Sequence, residues 1–197
     1  GSPNNKIVAN FIDKYVDVSS VGNHDISNAR NFSALLNKYN LNDKFLSANL
    51  SVDKGSPLDG QIAKSAIYDD GKEVLGFIGI SPMDFDRFVS RDRDNSFVSV
   101  KDLRETVKAV RCEVEKLEDQ GVDKIILLAH TGETSIDGRG IDYYRAFAKI
   151  GGIDVIVGGH DHVLVDRWEH SRRRKRDKPN EFEPVKIVAT GSDEDIA

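Results

Sequence analysis

Short β-branched apolar runs alternate along the chain with stretches whose apolar residues recur every three or four positions. That alternation predicts an α/β fold. Ile7, Val8, Phe11, Ile12 and Tyr15 predict a helix over 6–15, and a strand over 17–21 follows, stopped by Gly22. Phe32, Leu35, Leu36 and Tyr39 share one face of a helix over 28–39, and 45–50 reads as a strand. A hairpin is expected over 66–80, because Asp70-Gly71 supplies the positive φ of a tight turn. The stretch 81–97 has no clear period and reads as a long loop.

The clearest helix carries Val100, Leu103, Val107, Val110, Val114 and Leu117 on one stripe, with Ser99 as N-cap and Gly121 as C′ residue. The near-continuous apolar run 122–129 predicts a strand buried on both faces, and 153–157 predicts another. Between them 142–150 reads as a short helix, while 163–168 and 185–189 read as paired strands joined by a charged loop. Neither a repeat nor a linker divides the chain, so 1–197 is expected to form one domain.

Composition narrows the classes. With 39% hydrophobic and 31% charged residues, 197 residues suffice to bury a core without staples. The single cysteine, Cys112, excludes a disulfide scaffold and a Cys-rich zinc module. It lies off the apolar stripe and reads as an inert thiol. No apolar run approaches the roughly 20 residues of a membrane-spanning helix. The net charge of −5 argues against a general nucleic-acid binder. The basic run Arg172-Arg173-Arg174-Lys175-Arg176 is neutralised by Glu169, Asp177, Glu181 and Glu183, and reads as a solvated loop rather than a nucleic-acid or heparin patch. The opening Gly1-Ser2-Pro3 lacks a methionine, so cellular location is not legible here.

The histidines change the picture, because four of the five stand in three short Gly-containing turns, each following an apolar strand. These are Gly22-Asn23-His24-Asp25, His130-Thr131-Gly132 and Gly158-Gly159-His160-Asp161-His162. Ligands in α/β sheets bind beyond the carboxyl ends of strands, so three such turns can converge on one point. Neutral imidazole suits Zn, Mn, Fe and Ni, while an Asn carbonyl suits harder ions. In an extended segment, His160 and His162 would project to one side and could reach two ions roughly 3.5 to 4 Å apart. His24 beside Asp25 has the makings of a general acid or a charge-stabilising donor. Taken singly, His130-Thr131-Gly132 could be a structural turn and Asn23-His24-Asp25 an Asx turn. His170 reads as solvated.

In this order and setting, Gly22-Asn23-His24-Asp25, His130 and Gly159-His160-Asp161-His162 resemble the calcineurin-like metallophosphoesterases. Ser47-Ala48-Asn49-Leu50, Gly76-Phe77-Ile78-Gly79-Ile80 and the strand 185–189 ending in Thr190-Gly191 resemble its 5′-nucleotidase group, which includes 2′,3′-cyclic-nucleotide phosphodiesterases. The resemblance implies a four-layer αββα sandwich with a two-metal centre at the strand ends, the ions being Mn, Zn, Fe or Ca. By motif, Asn23, His130 and His160 would bind one ion and His162 the other. His24 would act on the phosphate or leaving group, held by Asp25. The substrate would be a small phosphoester, a nucleotide in the first instance, and the setting secreted, periplasmic or cell-surface.

The resemblance also implies an Asp-x-His and a Gly-Asp motif ahead of Gly22, and neither occurs in the 21 residues there. In that family Gly-Ser-Pro often follows the Gly-Asp motif. The chain is therefore expected to start just after them, to hold at most one ion weakly, and to hydrolyse phosphoesters poorly on its own. The group commonly has Glu where Asp25 stands and Ser where Asp161 stands. A module that binds a ligand or partner without catalysis is the alternative expectation. A single-zinc hydrolase fits less well, since these motifs leave no spare carboxylate as base.

Overall fold

The computed structural model describes residues 3–85, 95–133, 140–174 and 182–189. Gly1, Ser2, Thr190, Gly191 and the end of the basic run, Lys175 and Arg176, lie outside them, as does most of the predicted 81–97 loop.

Helix α1 (Pro3–Tyr15) leads into β1 (Ser19–Ser20), a short helix α2 (Asn23–Ile26) and α3 (Ala29–Tyr39). The predicted strand over 45–50 is broken into β2 (Phe45–Leu46) and β3 (Leu50–Val52). The break has a cause: Ser47 and Asn49 turn their polar side chains into a buried hydrogen-bonded knot instead of continuing a ladder. The hairpin forms as β4 (Ser65–Asp69) and β5 (Val74–Ile80).

Next come β6 (Val98–Val100) and the long helix α4 (Leu103–Asp119). Here the expected N-cap is corrected. Ser99 lies in β6, paired with Ser51, and Asp102 caps the helix by accepting from the Glu105 amide at 2.8 Å. Gly121 does take the left-handed φ of +82° that ends the helix. Strand β7 (Ile125–Ala129), α5 (Tyr143–Ala148) and β8 (Val155–Gly158) follow. An antiparallel pair, β9 (Val165–Arg174) and β10 (Phe182–Ala189), completes the order. The backbone of β9 runs through Arg174, so the first half of the basic run is strand rather than loop.

The main sheet has six strands in the order β4-β5-β7-β8-β10-β9, with β5, β7, β8 and β10 parallel to one another. Helices α4 and α5 pack on it and on each other, while β1 and β2 cross its other side. Two apolar cores result. One joins Ile78, Leu127, Ile156 and Ile187 of the sheet to Leu117, Tyr144 and Phe147 of the helices. The other joins Phe32 and Leu36 of α3 to Phe45, Leu50 and Phe97. The layers run helix, six-stranded sheet, small two-stranded sheet, helix, which is the α/β sandwich the resemblance implies. Among the described residues no helix is long and apolar enough to cross a membrane.

The register fixes where chemistry can occur. Ile80 pairs with Ala129, Ala129 with Gly158, and Gly158 with Ala189. Four parallel strands therefore end side by side, and the polar turns after β5, β7 and β8 emerge along one edge.

Candidate metal centre

Three turns meet at that edge. His130 leaves β7 directly, its amide donating to the Ile80 carbonyl at 3.1 Å. Asn23 arrives from β1 in the second layer, and its Oδ1 stands 3.1 Å from His130 Nε2. His160 follows β8, its ring centroid 5.1 Å from that of His130. The approach depends on Gly22, where a β-carbon would press on the His130 ring at 3.1 to 3.3 Å. Asn23, His24, Ser27, His130, His160, Asp161 and His162 line a cavity of about 500 Å³. The sequence-selected residues except Asp25 thus face one space.

Asp25 lies behind it. Its Oδ2 accepts from the Gly22 amide at 2.8 Å, closing the first turn of α2 from the N3 position alone, since the N-cap glycine has no side chain to reciprocate. Burial pushes its carboxyl up, against the opposing pull of the Gly22 amide and the His24 charge. Its tie to His24 is electrostatic, and its hydrogen bond goes to the turn. His24 itself is exposed at the cavity rim.

The turn after β8 departs from the extended segment expected of it. His160 has φ 88° and His162 φ 58°, both in the left-handed region that non-glycine residues enter only when their surroundings hold them there. What holds this turn is Asp161. Its Oδ2 accepts from the Glu133 amide at 2.5 Å, and the Gly132 amide donates to the Gly159 carbonyl at 2.9 Å. The carboxylate between the two histidines thus positions them. Glu133 in turn pairs with Arg167, which also reaches Asp142 at the start of α5.

His130 is held down to about 4, first by burial and then by the positive potential of His160 and His24. A group so placed stays a neutral imidazole at physiological pH, the form that ligates metals. Asp84 was not legible in the sequence. It lies four residues past the end of β5, on the same strand-end edge, with Oδ1 3.5 Å from His160 Nε2 and a side chain only 10% exposed. The signal was there in weaker form: an apolar strand giving way to a polar turn, Ser81-Pro82-Met83-Asp84, but without glycine or histidine.

Two imidazoles and an amide oxygen are donors of the kind that suit a divalent ion. Asp84 stands beside His160 with two buried oxygens that have no hydrogen-bond partner. Among the described residues, no group of three or more His, Cys, Asp or Glu side chains is placed to hold a metal ion by itself. His162 is exposed where it lines the same cavity.

Comparison with known proteins identifies the family. The family model for calcineurin-like phosphoesterases matches residues 1–164. A 5′-nucleotidase of Diplobatis ommata is 32% identical over 164 residues, covering 80% of this chain and 26% of that protein. A probable 5′-nucleotidase of Treponema pallidum is 32% identical over 151 residues, 76% of this chain and 23% of that one. The chain thus spans about a quarter of the length of these relatives. Among solved structures, the 5′-nucleotidase precursor of Thermus thermophilus superposes with a TM-score of 0.72 at 22% identity, over 94% of this chain and 35% of that one. The NAD nucleotidase of Haemophilus influenzae gives 0.67 at 22% identity, over 92% and 35%.

Proposed function

The chain belongs to the calcineurin-like phosphoesterase family, and from that premise we propose that its site serves metal-dependent hydrolysis of a small phosphoester, a nucleotide monophosphate first of all. The observation that carries this is the meeting of Asn23, His130 and His160 at one strand-end edge, with His130 kept neutral by its surroundings. The substrate class rests on kinship with 5′-nucleotidases, two of them 32% identical.

In this reading Asn23 Oδ1 and the rings of His130 and His160 hold one divalent ion, and His162 faces the same cavity as a donor toward a second. Such ions supply neutralisation of phosphate charge and Lewis acidity at the phosphoryl group. The chain's own residues do the rest. His24, exposed at the rim, donates a ring N–H to the phosphoryl or leaving-group oxygen. Asp25 fixes the α2 turn from which His24 projects and lends it negative potential. Asp161 and Gly132 lock the His160 turn against the His130 turn. Residence outside the cytoplasm belongs to the same proposal, resting on kinship with a snake-venom 5′-nucleotidase of Naja atra that is 31% identical over 154 residues.

The test is release of phosphate from adenosine 5′-monophosphate by the full-length protein with Mn²⁺ and with EDTA, alongside its His24→Ala and His130→Ala variants. Metal-dependent turnover that falls by about two orders of magnitude or more in both variants is expected, the scale general acid catalysis contributes. Turnover indifferent to EDTA, or to loss of His130, refutes it. Nucleotide binding with no turnover in any metal would establish the non-catalytic module instead.

A further inference from the structure

The turn after β8 is held in a shape its own residues resist, since His160 and His162 both have left-handed φ, at 88° and 58°. Such backbone persists where neighbouring groups over-determine it. Asp161 is the first of those groups. Its carboxylate accepts from the Glu133 amide at 2.5 Å, and it lies so close over Gly132 that a β-carbon there would stand 3.0 Å from Oδ2. The bracket is therefore as firm as residue 133 and no firmer.

Residue 133 is fixed from two other sides. Its carbonyl accepts from the Tyr143 amide at 2.8 Å, tying it to the first turn of α5. Its carboxylate pairs with the Arg167 guanidinium of β9. The second terminal nitrogen of Arg167 donates to Asp142, the N-cap of α5, and Nε stands 3.7 Å from Glu169 Oε1. All three guanidinium nitrogens thus face carboxylates. The Arg167, Glu133 and Asp142 side chains are 28%, 24% and 21% exposed, shielded enough that loss of the cation would strand two neighbouring carboxylates. Arg145 is the contrast. It is 54% exposed, and its ion pairs among the described residues are with Glu169 and Asp142.

We propose that Arg167 is a positioning residue for the candidate site. Through Glu133 it aims the residue 133 amide at Asp161, and through Asp161 it sets the turn on which His160 and His162 stand. The planar fork of the guanidinium suits this task, because it grips two carboxylates at once and fixes their angle, which the point charge of a lysine does not. The consequence for turnover rests on the phosphoester-hydrolysis reading; the hold on the turn does not.

The experiment follows the histidine ring ¹H–¹³C signals of the full chain by NMR, together with its release of phosphate from adenosine 5′-monophosphate with Mn²⁺. Arg167→Met is expected to move the His160 and His162 signals and to lower kcat/KM about tenfold or more, the scale on which support behind a site residue acts. Arg145→Met, which takes a cation from the same group of carboxylates, is expected to leave both readouts unchanged. In an Asp161→Ala background, Arg167→Met is expected to change kcat/KM by less than about threefold, because the path runs through Asp161. Should Arg167→Met fail to fold, Arg167→Lys carries the test: it keeps the charge without the fork and is expected to move the same two signals. Signals unmoved in the folded Arg167 variant, or moved as far by Arg145→Met, would overturn the proposal, as would losses that multiply in the Asp161→Ala background. Signals that move as expected in a chain without metal-dependent turnover would uphold the positioning role and refute the hydrolytic reading alone.

Discussion

The carboxylate of Asp161 accepts a hydrogen bond from the amide of Glu133 at 2.5 Å, joining the turn that carries His160 and His162 to the turn that carries His130. With the Gly132-to-Gly159 bond at 2.9 Å, it is why two histidines 30 positions apart keep a ring separation of 5.1 Å. Asp161→Ala should therefore weaken Mn²⁺ binding about tenfold, the size of effect expected when support behind a ligand is removed. Asp161→Asn, which keeps an acceptor oxygen, should stay within about threefold of wild type. Calorimetric titration distinguishes the two, and equal affinities for Ala and wild type would show that the bracket does not matter.

Gly158 makes room for Tyr144. A β-carbon at Gly158 would lie 2.2 Å from the Tyr144 hydroxyl oxygen and 2.4 Å from Cζ, with the Ala189 β-carbon at 3.0 Å. Tyr144 is fully buried and Gly158 sits mid-sheet, so neither can yield cheaply. Gly158→Ala should cost about 1–3 kcal/mol or more in urea unfolding. Tyr144→Phe in the same chain should recover little, because the ring carbon stays. An unchanged midpoint for Gly158→Ala would mean the ring has space the structure does not show.

Asn49 is fully buried and satisfies both the N–H and the C=O of Ser81. Asn49→Ala strands both groups, at about 1–3 kcal/mol each, so a loss of roughly 2–6 kcal/mol is expected in chemical denaturation. Asn49→Asp would turn a carboxylate oxygen onto the Ser81 carbonyl at 2.9 Å and should cost at least as much. A cost below about 0.5 kcal/mol would mean that water replaces the amide.

How far the sequence foretold this arrangement can be seen residue by residue. Periodicity gave the parallel strands β5, β7 and β8 and the helices α4 and α5, because their apolar residues do one job, which is packing. It failed at β2–β3, where Ser47 and Asn49 have strand-like spacing but fold inward to bind Ser81 and each other. It failed at Ser99 for a related reason. A cap residue and a strand residue look alike until the cross-strand partner, Ser51, is known. At the site, histidine spacing identified the turns that line the cavity. The burial of Asp84 beside His160 was missed because it is a property of packing that no local pattern encodes.

Acidification should destabilise the metal-free chain through His130. Burial and the neighbouring histidines hold its folded-state pKa down to about 4, against the 6.5 of an ordinary imidazole. Between those values the unfolded chain binds more protons than the folded one, so stability rises with pH across that window and falls as pH drops through it. Asp25 acts with the opposite sign: its raised carboxyl favours the folded state at pH below its folded value. The His130 share is therefore read as a difference between proteins. In EDTA, wild type should lose more unfolding free energy than His130→Gln between pH 7 and pH 4.5. Glutamine cannot take the proton, and it keeps polar atoms near Asn23 Oδ1. If the two proteins lose stability in parallel, the His130 ring is protonated as readily in the folded chain as outside it, and its neutrality cannot underlie metal binding.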